Sequence, residues 1–199
     1  MNHLSRADLW SLEEYSELRP GFRAEVMAHK KHRQLALGEH ARLYFEDYLT
    51  IKYQIQEMLR IEKVFEAEGI LEELEAYNPL IPDGHNWNAT FMLEYDDPAQ
   101  RALRLGEMIG IEDKVWLQVE DFDRVYPIAD EDLERQNADK TSSVHFLRFE
   151  LDPSMITAVC QGAKIAAGIE HPAYTVEISE IPSAIRDSLA GDLQPGTIN

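Results

Sequence analysis

The segment from Tyr48 to Glu68 constrains the fold of this chain more than any other. It is the longest run of good helix formers whose apolar residues recur at helical spacing, and Gly69 follows it. At ~100° per residue, one wide face is apolar and the opposite face is polar. We expect a long central helix that packs its apolar face against the protein. That face consists of Ile51, Ile55, Met58, Leu59, Ile61, Val64 and Phe65, and the opposite face of Lys52, Gln56, Arg60 and Lys63.

Three polar residues project into the apolar face, and they are the sharpest chemical signal in the sequence. Gln54, Glu57 and Glu62 lie between apolar neighbours in helical projection. A buried carboxylate is unfavourable without a cation, a network of hydrogen-bond donors, a metal ion or water. The pattern predicts a polar interior site, in which Glu57 and Glu62 are candidate catalytic carboxylates and Gln54 is a positioning amide.

Charge and composition argue against several classes of protein and partner. The 199 residues carry a formal net charge of −18, which argues against sequence-nonspecific nucleic-acid binding, because phosphate contacts need a local surplus of Lys and Arg. No window approaches the ~18 uncharged apolar residues of a membrane span, and the N-terminus lacks the apolar core of a signal peptide. The single cysteine, Cys160, excludes an intrachain disulfide. We expect a soluble protein of the reducing cytoplasm.

The N-terminal third carries the basic residues that an anion would need. Up to Lys63 there are ten basic and ten acidic residues, whereas the remainder has nine basic and 27 acidic. Lys30, Lys31 and Arg33 lie at the end of a predicted helix, where cations interact favourably with the helix dipole. That structural role accounts for them, and the alternative is a binding site for phosphate or carboxylate.

A dense cluster of turn-forming residues runs from Asn78 to Asn88. A rigid turn followed by polar side chains has many of the groups that a ligand pocket uses. We therefore treat Asn86, Trp87 and Asn88 as candidate ligand-binding residues and His85 as a candidate acid–base group. The alternative is a structural turn whose Trp87 fills the core.

The remaining periodicity predicts the fold class. The order of elements favours an α+β fold, in which a largely antiparallel sheet is packed by the long central helix with additional N-terminal helices. We expect a single domain over 1–199, with a helical part at about 9–77, a strand-rich part at about 87–193 and a frayed tail after 193. Helices are predicted at Ser11–Leu18, Pro20–Gln34, Ile70–Tyr77, Pro98–Ile109 and Pro153–Ala167. Strands are predicted at Ala41–Glu46, Trp87–Tyr95, Lys114–Glu120, Arg124–Ile128, Ser143–Leu151 and Tyr174–Ile178.

One predicted strand adds two further site candidates. His145 is a candidate acid–base group or metal ligand, and Arg148 is either an anion clamp or the cation that neutralises Glu62. Glu62 and Glu66 lie one turn apart on the predicted helix, and carboxylate and imidazole ligands suit iron or manganese. The E-x-x-H pairs of di-iron bundles are missing, however, and so are glycine-rich phosphate loops, G-x-S-x-G and H-E-x-x-H. No cofactor or reaction class is indicated.

Five segments carry a resemblance to a known family: AHKKHR, LYFEDYLTIKYQIQEMLRIE, AYNPLIPDGHNW, GIEDKVW and SSVHFLRFEL. The sequence resembles an uncharacterised bacterial family, the domain of unknown function numbered 3501, from roughly Leu9 to Leu193. The resemblance implies no activity. Genes of the family tend to lie beside rubrerythrin-like di-iron proteins and iron–sulfur oxidoreductase subunits, so the resemblance implies a redox or oxidative-stress setting by association.

Three functional hypotheses follow. The first is an accessory or partner protein of an iron-dependent redox system, which docks on a rubrerythrin-like or iron–sulfur protein. The second is an enzyme or sensor with a buried Glu/His/Arg pocket for a metal or small molecule. The third is a binding module for an anionic metabolite, built from Lys30, Lys31, Arg33 and the loop at 85–88. The sequence predicts no oligomeric state.

Overall fold

The computed structural model describes residues 3–132, 135 and 139–195. It confirms the α+β class, and the strand pairs that it describes are antiparallel. The helices are α1 Leu12–Lys30, α2 Tyr48–Glu62, α3 Ala67–Tyr77, α4 Pro98–Glu107, α5 Pro153–Cys160 and α6 Ser183–Ala190. The strands are β1 Gln34–Leu37, β2 Ala41–Glu46, β3 Asn86–Leu93, β4 Val115–Val119, β5 Ile128–Ala129, β6 Val144–Glu150, β7 Ile165–His171 and β8 Tyr174–Ile178.

The strands form two sheets rather than one. Five strands lie in the order β1-β2-β3-β6-β5, and three in the order β4-β7-β8. The segments predicted as strands at Lys114–Glu120 and Arg124–Ile128, which the sequence would join in a hairpin, pair through a single bridge between Leu117 and Val125. The chain then crosses over, and β5 pairs with β6 of the larger sheet. This crossing places the residues that follow β5 beside His145.

The N-terminal part of the chain forms one continuous helix where two are predicted. Pro20 lies inside the continuous helix α1, where two helices are predicted. A proline removes one intrahelical hydrogen bond, which is tolerated here because Pro20 is exposed and the freed carbonyl can face water. Ser11 and Glu14 form the expected capping box. The helix ends early enough for β1, a strand that the sequence analysis misses.

A second correction concerns the segment after α5. A helix is predicted through Ala167, but α5 ends at Cys160 and β7 begins at Ile165. Gly162, with a φ of +94°, adopts a left-handed conformation that a helix does not continue through. Within β7, Gly168 lies against the Trp116 ring, so the glycine marks close packing between strands rather than a helix end.

The two sheets share one hydrophobic core, and the helices add two smaller clusters. The main cluster includes Trp87 and Phe149 from the larger sheet and Val115 and Ile169 from the smaller one. One helical cluster joins α2 to α3, and the other joins α2 to α1. Helix α2 is therefore covered on two sides, as a central helix should be.

No helix in the described part of the chain combines the length and the apolar character that a membrane crossing requires. The acidic segment at 129–140, which the sequence predicts to be mostly helical or solvated, and the predicted frayed tail lie partly outside the described residues. At the start of that tail, the Gln194 backbone amide donates a hydrogen bond to the Gly84 carbonyl at 2.9 Å.

Candidate functional site

The sequence predicts a polar interior site around Glu62, but the buried ionisable groups of the structure lie elsewhere. Helix α2 ends at Glu62, and Lys63 adopts the left-handed conformation with a φ of 57°. Because the chain turns there, Glu62 and Glu66 are exposed, and Phe65 is 74% exposed. The predicted placement of Glu62 and Phe65 on a buried face is wrong. The structure also does not bring Glu62 and Glu66 together with His145 as a metal-binding group.

The buried amide on α2 is Gln56 rather than Gln54. Gln54 is half-buried, whereas Gln56, predicted on the polar face, is fully buried. Its Oε1 accepts a hydrogen bond from the Trp10 backbone amide at 2.7 Å. The reason is that α1 and the residues before it cover this side of α2, which helical projection alone does not show.

Glu57 is compensated by groups on the neighbouring helix. Its Oε1 accepts hydrogen bonds from the Tyr15 hydroxyl and from Arg19 Nε, both at 2.7 Å, and its Oε2 accepts one from Arg19 Nη2 at 2.9 Å. The Arg19 hydrogen bonds, helped by Tyr15, lower the pKa of Glu57 to about 2. The carboxylate is a link between α1 and α2, with its acceptors in use.

The candidate anion-binding cations do not form a free cationic surface. Arg33 is 2% exposed and donates hydrogen bonds to Asp192, while its Nε lies 3.2 Å from an Asp47 oxygen. Its charge is already matched by the protein's own carboxylates. Lys31 is exposed, and Lys30 lies 5.7 Å from the centre of the Tyr53 ring.

The loop residues separate into structural and cavity-facing groups. Trp87 is fully buried, and its indole nitrogen donates to the Leu189 carbonyl at 2.9 Å, as the structural alternative expects. His85 is exposed. Asn86 donates to Glu150 at 3.1 Å, and Asn88 lines a cavity beneath α3.

The buried ionisable groups converge on His145 in the middle of β6. The ring is 0% exposed, and its Nδ1 lies 2.6 Å from an Asp130 carboxylate oxygen. Its Nε2 faces three oxygen atoms: the Thr141 hydroxyl at 3.0 Å, the Ser142 carbonyl at 3.1 Å and Glu112 Oε2 at 3.8 Å. The two ring nitrogens therefore have distinct surroundings.

Local backbone geometry holds the two carboxylates in place. Asp130 directly follows β5 and has a φ of 50°, which is unusual for a residue with a Cβ. Its second oxygen accepts a hydrogen bond from the Phe146 amide at 2.9 Å, so the carboxylate joins β5 to β6. Glu112, 4% exposed, lies in a short 3-10 turn after Gly110, whose φ is +81°. The Thr141 hydroxyl lies 3.4 Å from Glu112 Oε2.

Both ring nitrogens have hydrogen-bond partners, and the two sides of the ring differ in what they face. Asp130 occupies the Nδ1 side and fixes the ring orientation, while Nε2 and Glu112 face each other. Within the described residues, Glu112, Asp130 and His145 are the group of His, Asp and Glu side chains close enough together to hold a metal ion. His145 is among the site residues predicted from the sequence, whereas Glu112 and Asp130 are not. Glu112 does lie in the segment GIEDKVW that carries the family resemblance.

A cavity of about 630 Å³ adjoins this cluster. It lies between α3 and the face of the larger sheet that carries Asn88 and Arg148, which are directly opposed in the β3–β6 register. Arg148 is not the partner of Glu62; it donates to Glu131 and Glu150. Arg135 lines the cavity and lies 3.2 Å from Asp130, so it links the two regions.

A protein family and a solved structure are similar to this chain in sequence, and the solved structure is similar in fold as well. A family model described as "Protein of unknown function (DUF3501)" matches residues 3–193. A crystal structure from Burkholderia pseudomallei, described as a novel protein of unknown function, is 50% identical in sequence. The likeness covers 97% of this chain and 100% of that one, with a TM-score of 0.93. No curated protein matches.

Proposed function

This chain belongs to the DUF3501 family of proteins of unknown function, and we propose that it is a cytoplasmic metal-binding accessory protein of an iron-dependent redox system. Glu112 and His145 Nε2 bind a divalent cation, the Thr141 hydroxyl and the Ser142 carbonyl complete the protein side of the site, and Asp130 orients the ring.

The surroundings of His145 Nε2 support metal binding. Ligand atoms about 2.1 Å from one ion lie about 3 to 4 Å from each other, and the oxygens around Nε2 lie at 3.0, 3.1 and 3.8 Å. A carboxylate on the other ring nitrogen is the usual partner of a metal-binding histidine, because it fixes the tautomer and raises the basicity of the ligand. Asp130 has that position.

The donor set favours iron or manganese over soft metals. Carboxylate, hydroxyl and carbonyl oxygens with one imidazole suit Fe²⁺ and Mn²⁺, and no thiolate takes part, since Cys160 is exposed on α5. A metal of this kind fits the redox setting that the family resemblance implies. The accessory role is supported by the lack of a recognisable catalytic motif and by the net charge of −18, which favours a basic partner.

Metal analysis tests the site. Protein purified without chelator, then loaded anaerobically with Fe²⁺ or Mn²⁺ and desalted, should retain close to one ion per chain. Glu112→Gln and His145→Gln should each lower the retained metal severalfold. His171→Gln is the matched control, because His171 is also buried and its Nε2 lies 3.2 Å from a backbone carbonyl, that of Ile109, rather than beside a carboxylate of the described residues. Equal retention in all variants, or none in the unaltered protein, would overturn the site.

Co-purification tests the accessory role separately. The tagged full chain, expressed together with its neighbouring genes, should recover a rubrerythrin-like or iron–sulfur protein in stoichiometric amount. Recovery of the chain alone, with its metal bound, would retain the metal site and remove the proposed partner.

A further inference from the structure

We propose that the cavity beneath α3 binds a small organic cation, whose charged nitrogen lies at Glu73 and Asn88 and whose apolar part lies along the cavity wall. This inference rests on cavity residues that take no part in the metal site, and it does not depend on metal binding.

The charges that line the cavity are unequally matched. The two cationic side chains of the lining both form ion pairs. Arg148 donates hydrogen bonds to both oxygens of Glu131, at 2.7 and 2.8 Å. Arg135 pairs with Asp132 and lies 3.2 Å from Asp130. Glu73 on α3 also lines the cavity, and it has no cationic partner anywhere in residues 3–132, 135 and 139–195. Glu75, which is exposed, also lines the cavity without a cationic partner among these residues, so Glu73 is the more buried of two uncompensated carboxylates.

Glu73 is half-buried, so water compensates its charge incompletely. Burial raises its pKa, and repulsion from Glu62 and Glu72 adds to the effect. A cation beside the carboxylate would oppose both effects, because an opposite charge favours the ionised form. An anionic ligand would make the same repulsion worse.

Asn88 supplies a second acceptor from the opposite wall. The side chain is 3% exposed and lines the cavity. Its Nδ2 donates a long hydrogen bond, 3.5 Å, to the Pro79 carbonyl, whereas its Oδ1 accepts no hydrogen bond from the described part of the chain. Because that oxygen is not fully buried, it can accept a hydrogen bond from a molecule in the cavity. An ammonium group, with three donors and no acceptor, can satisfy Asn88 and Glu73 together.

The rest of the cavity wall is mainly apolar and favours a ligand with an apolar chain. Pockets of about 300 to 1,000 Å³ accommodate small molecules, and this cavity of about 630 Å³ falls within that range. Apolar side chains from α2, α3, the 3-10 turn after it, and the sheet contribute most of the non-charged lining: Met58, Tyr77, Leu80, Ile128, Phe146 and Leu147. The ligand class is an amine with an alkyl or aryl chain, rather than a compact inorganic cation.

Three probes of similar size test the proposal on the full chain: hexylamine, hexan-1-ol and hexanoate at matched ionic strength. Calorimetry and thermal unfolding should show binding of the amine, weaker binding of the alcohol and none of the carboxylate. Glu73→Gln should weaken amine binding by about tenfold or more, as expected when a charged partner is lost. Glu72→Gln is the matched control, because Glu72 is its exposed neighbour on α3 and does not line the cavity.

Asn88→Ala provides an independent variant on the opposite wall, and it should also weaken the amine while leaving metal retention unchanged. The proposal is overturned if hexylamine and hexan-1-ol bind equally, if no amine binding is seen at millimolar concentration, or if Glu73→Gln and Glu72→Gln behave alike. The last outcome would mean that the amine responds only to the general acidity of the surface.

Discussion

His145 Nδ1 lies 2.6 Å from the carboxylate of Asp130, a residue that directly follows β5 and has a left-handed backbone. The contact joins two parts of the larger sheet and gives the buried ring a defined orientation. Non-glycine residues adopt this backbone conformation rarely and at some cost in free energy. The conformation is stabilised here because the Asp130 carboxylate also accepts a hydrogen bond from the Phe146 amide. The same residue thus serves the fold and the candidate site.

Asp130→Asn separates these two roles. Asparagine tolerates the left-handed backbone, so the change tests mainly the loss of charge. An amide donor at Nδ1 would place the ring proton on Nε2, where the metal is proposed to bind. We expect metal affinity to fall by about 10- to 100-fold and the free energy of unfolding by about 1–3 kcal/mol. Metal titration and urea unfolding measure the two effects.

Asp132→Asn is the control for that change, because Asp132 is exposed and pairs with Arg135 rather than with His145. It should leave metal affinity unaltered. If Asp130→Asn binds metal as tightly as the unaltered protein, Asp130 does not orient the ring.

The ion pair between Glu57 and Arg19 predicts a pH dependence of stability. Arg19 and Tyr15 hold the pKa of Glu57 at about 2, below the ordinary value of 4.5 for an unfolded chain. A carboxyl with a lowered pKa contributes stability that is fully present above pH 4.5 and is lost as the pH falls towards 2. The difference in unfolding free energy between the unaltered protein and Glu57→Gln should therefore be constant near neutrality and shrink between these two pH values.

Unfolding by urea from pH 7 down to pH 3 measures that difference. Glu17→Gln, an exposed glutamate of α1 without an ion pair in the described residues, should change stability little. A difference for Glu57→Gln that grows as the pH falls would contradict the assigned direction.

Regular periodicity predicts most of the elements here, and special backbone positions account for most of the errors. The strands β2 and β8 begin and end where their alternation predicts, and the α+β class follows from the order of elements. The long central helix fails at Lys63 and the helix after Pro153 fails near Gly162, where the backbone is left-handed. Neither residue type alone signals that conformation, since lysine is a good helix former and glycine has many uses.

The candidate site is less accessible to sequence reasoning than the fold. His145 is found because it alternates with apolar residues along one strand. Asp130 meets the ring because β5 crosses to the larger sheet and pairs with β6, and Glu112 meets it from a 3-10 turn before β4. Neither contact follows from sequence periodicity. Burial of ionisable groups does identify the candidate site. Helical projection of α2, however, predicts that Glu62 is the buried group, whereas Glu62 is exposed because α2 ends there.

Gly168→Ala should be strongly destabilising. An added Cβ would overlap the Trp116 ring and lie 2.5 Å from the Val176 carbonyl oxygen, and the buried indole has little room to move. Overpacking of this kind costs about 1–3 kcal/mol, and we expect the upper end. Gly21→Ala is the control: it lies in α1 with open space around it and should increase stability by about 0.5–1 kcal/mol. Thermal unfolding that ranks the two variants in the reverse order would contradict the packing between β4 and β7.

Lys63→Gly tests the helix end that exposes Glu62. Lys63 caps α2 with a φ of 57° and a ψ of 40°, a left-handed conformation that costs a residue with a Cβ about 1 kcal/mol and costs glycine little. The gain in folded-state stability from glycine is partly offset because glycine is more flexible in the unfolded chain, so we expect stabilisation of about 0.5 kcal/mol in urea unfolding.

Lys31→Gly is the matched control, since Lys31 is an exposed lysine that caps α1 with an ordinary φ of −61°. Glycine at that position should destabilise the protein by a similar amount. If both variants lose stability equally, α2 continues past Lys63 in solution, and the burial of Glu62 would have to be considered again.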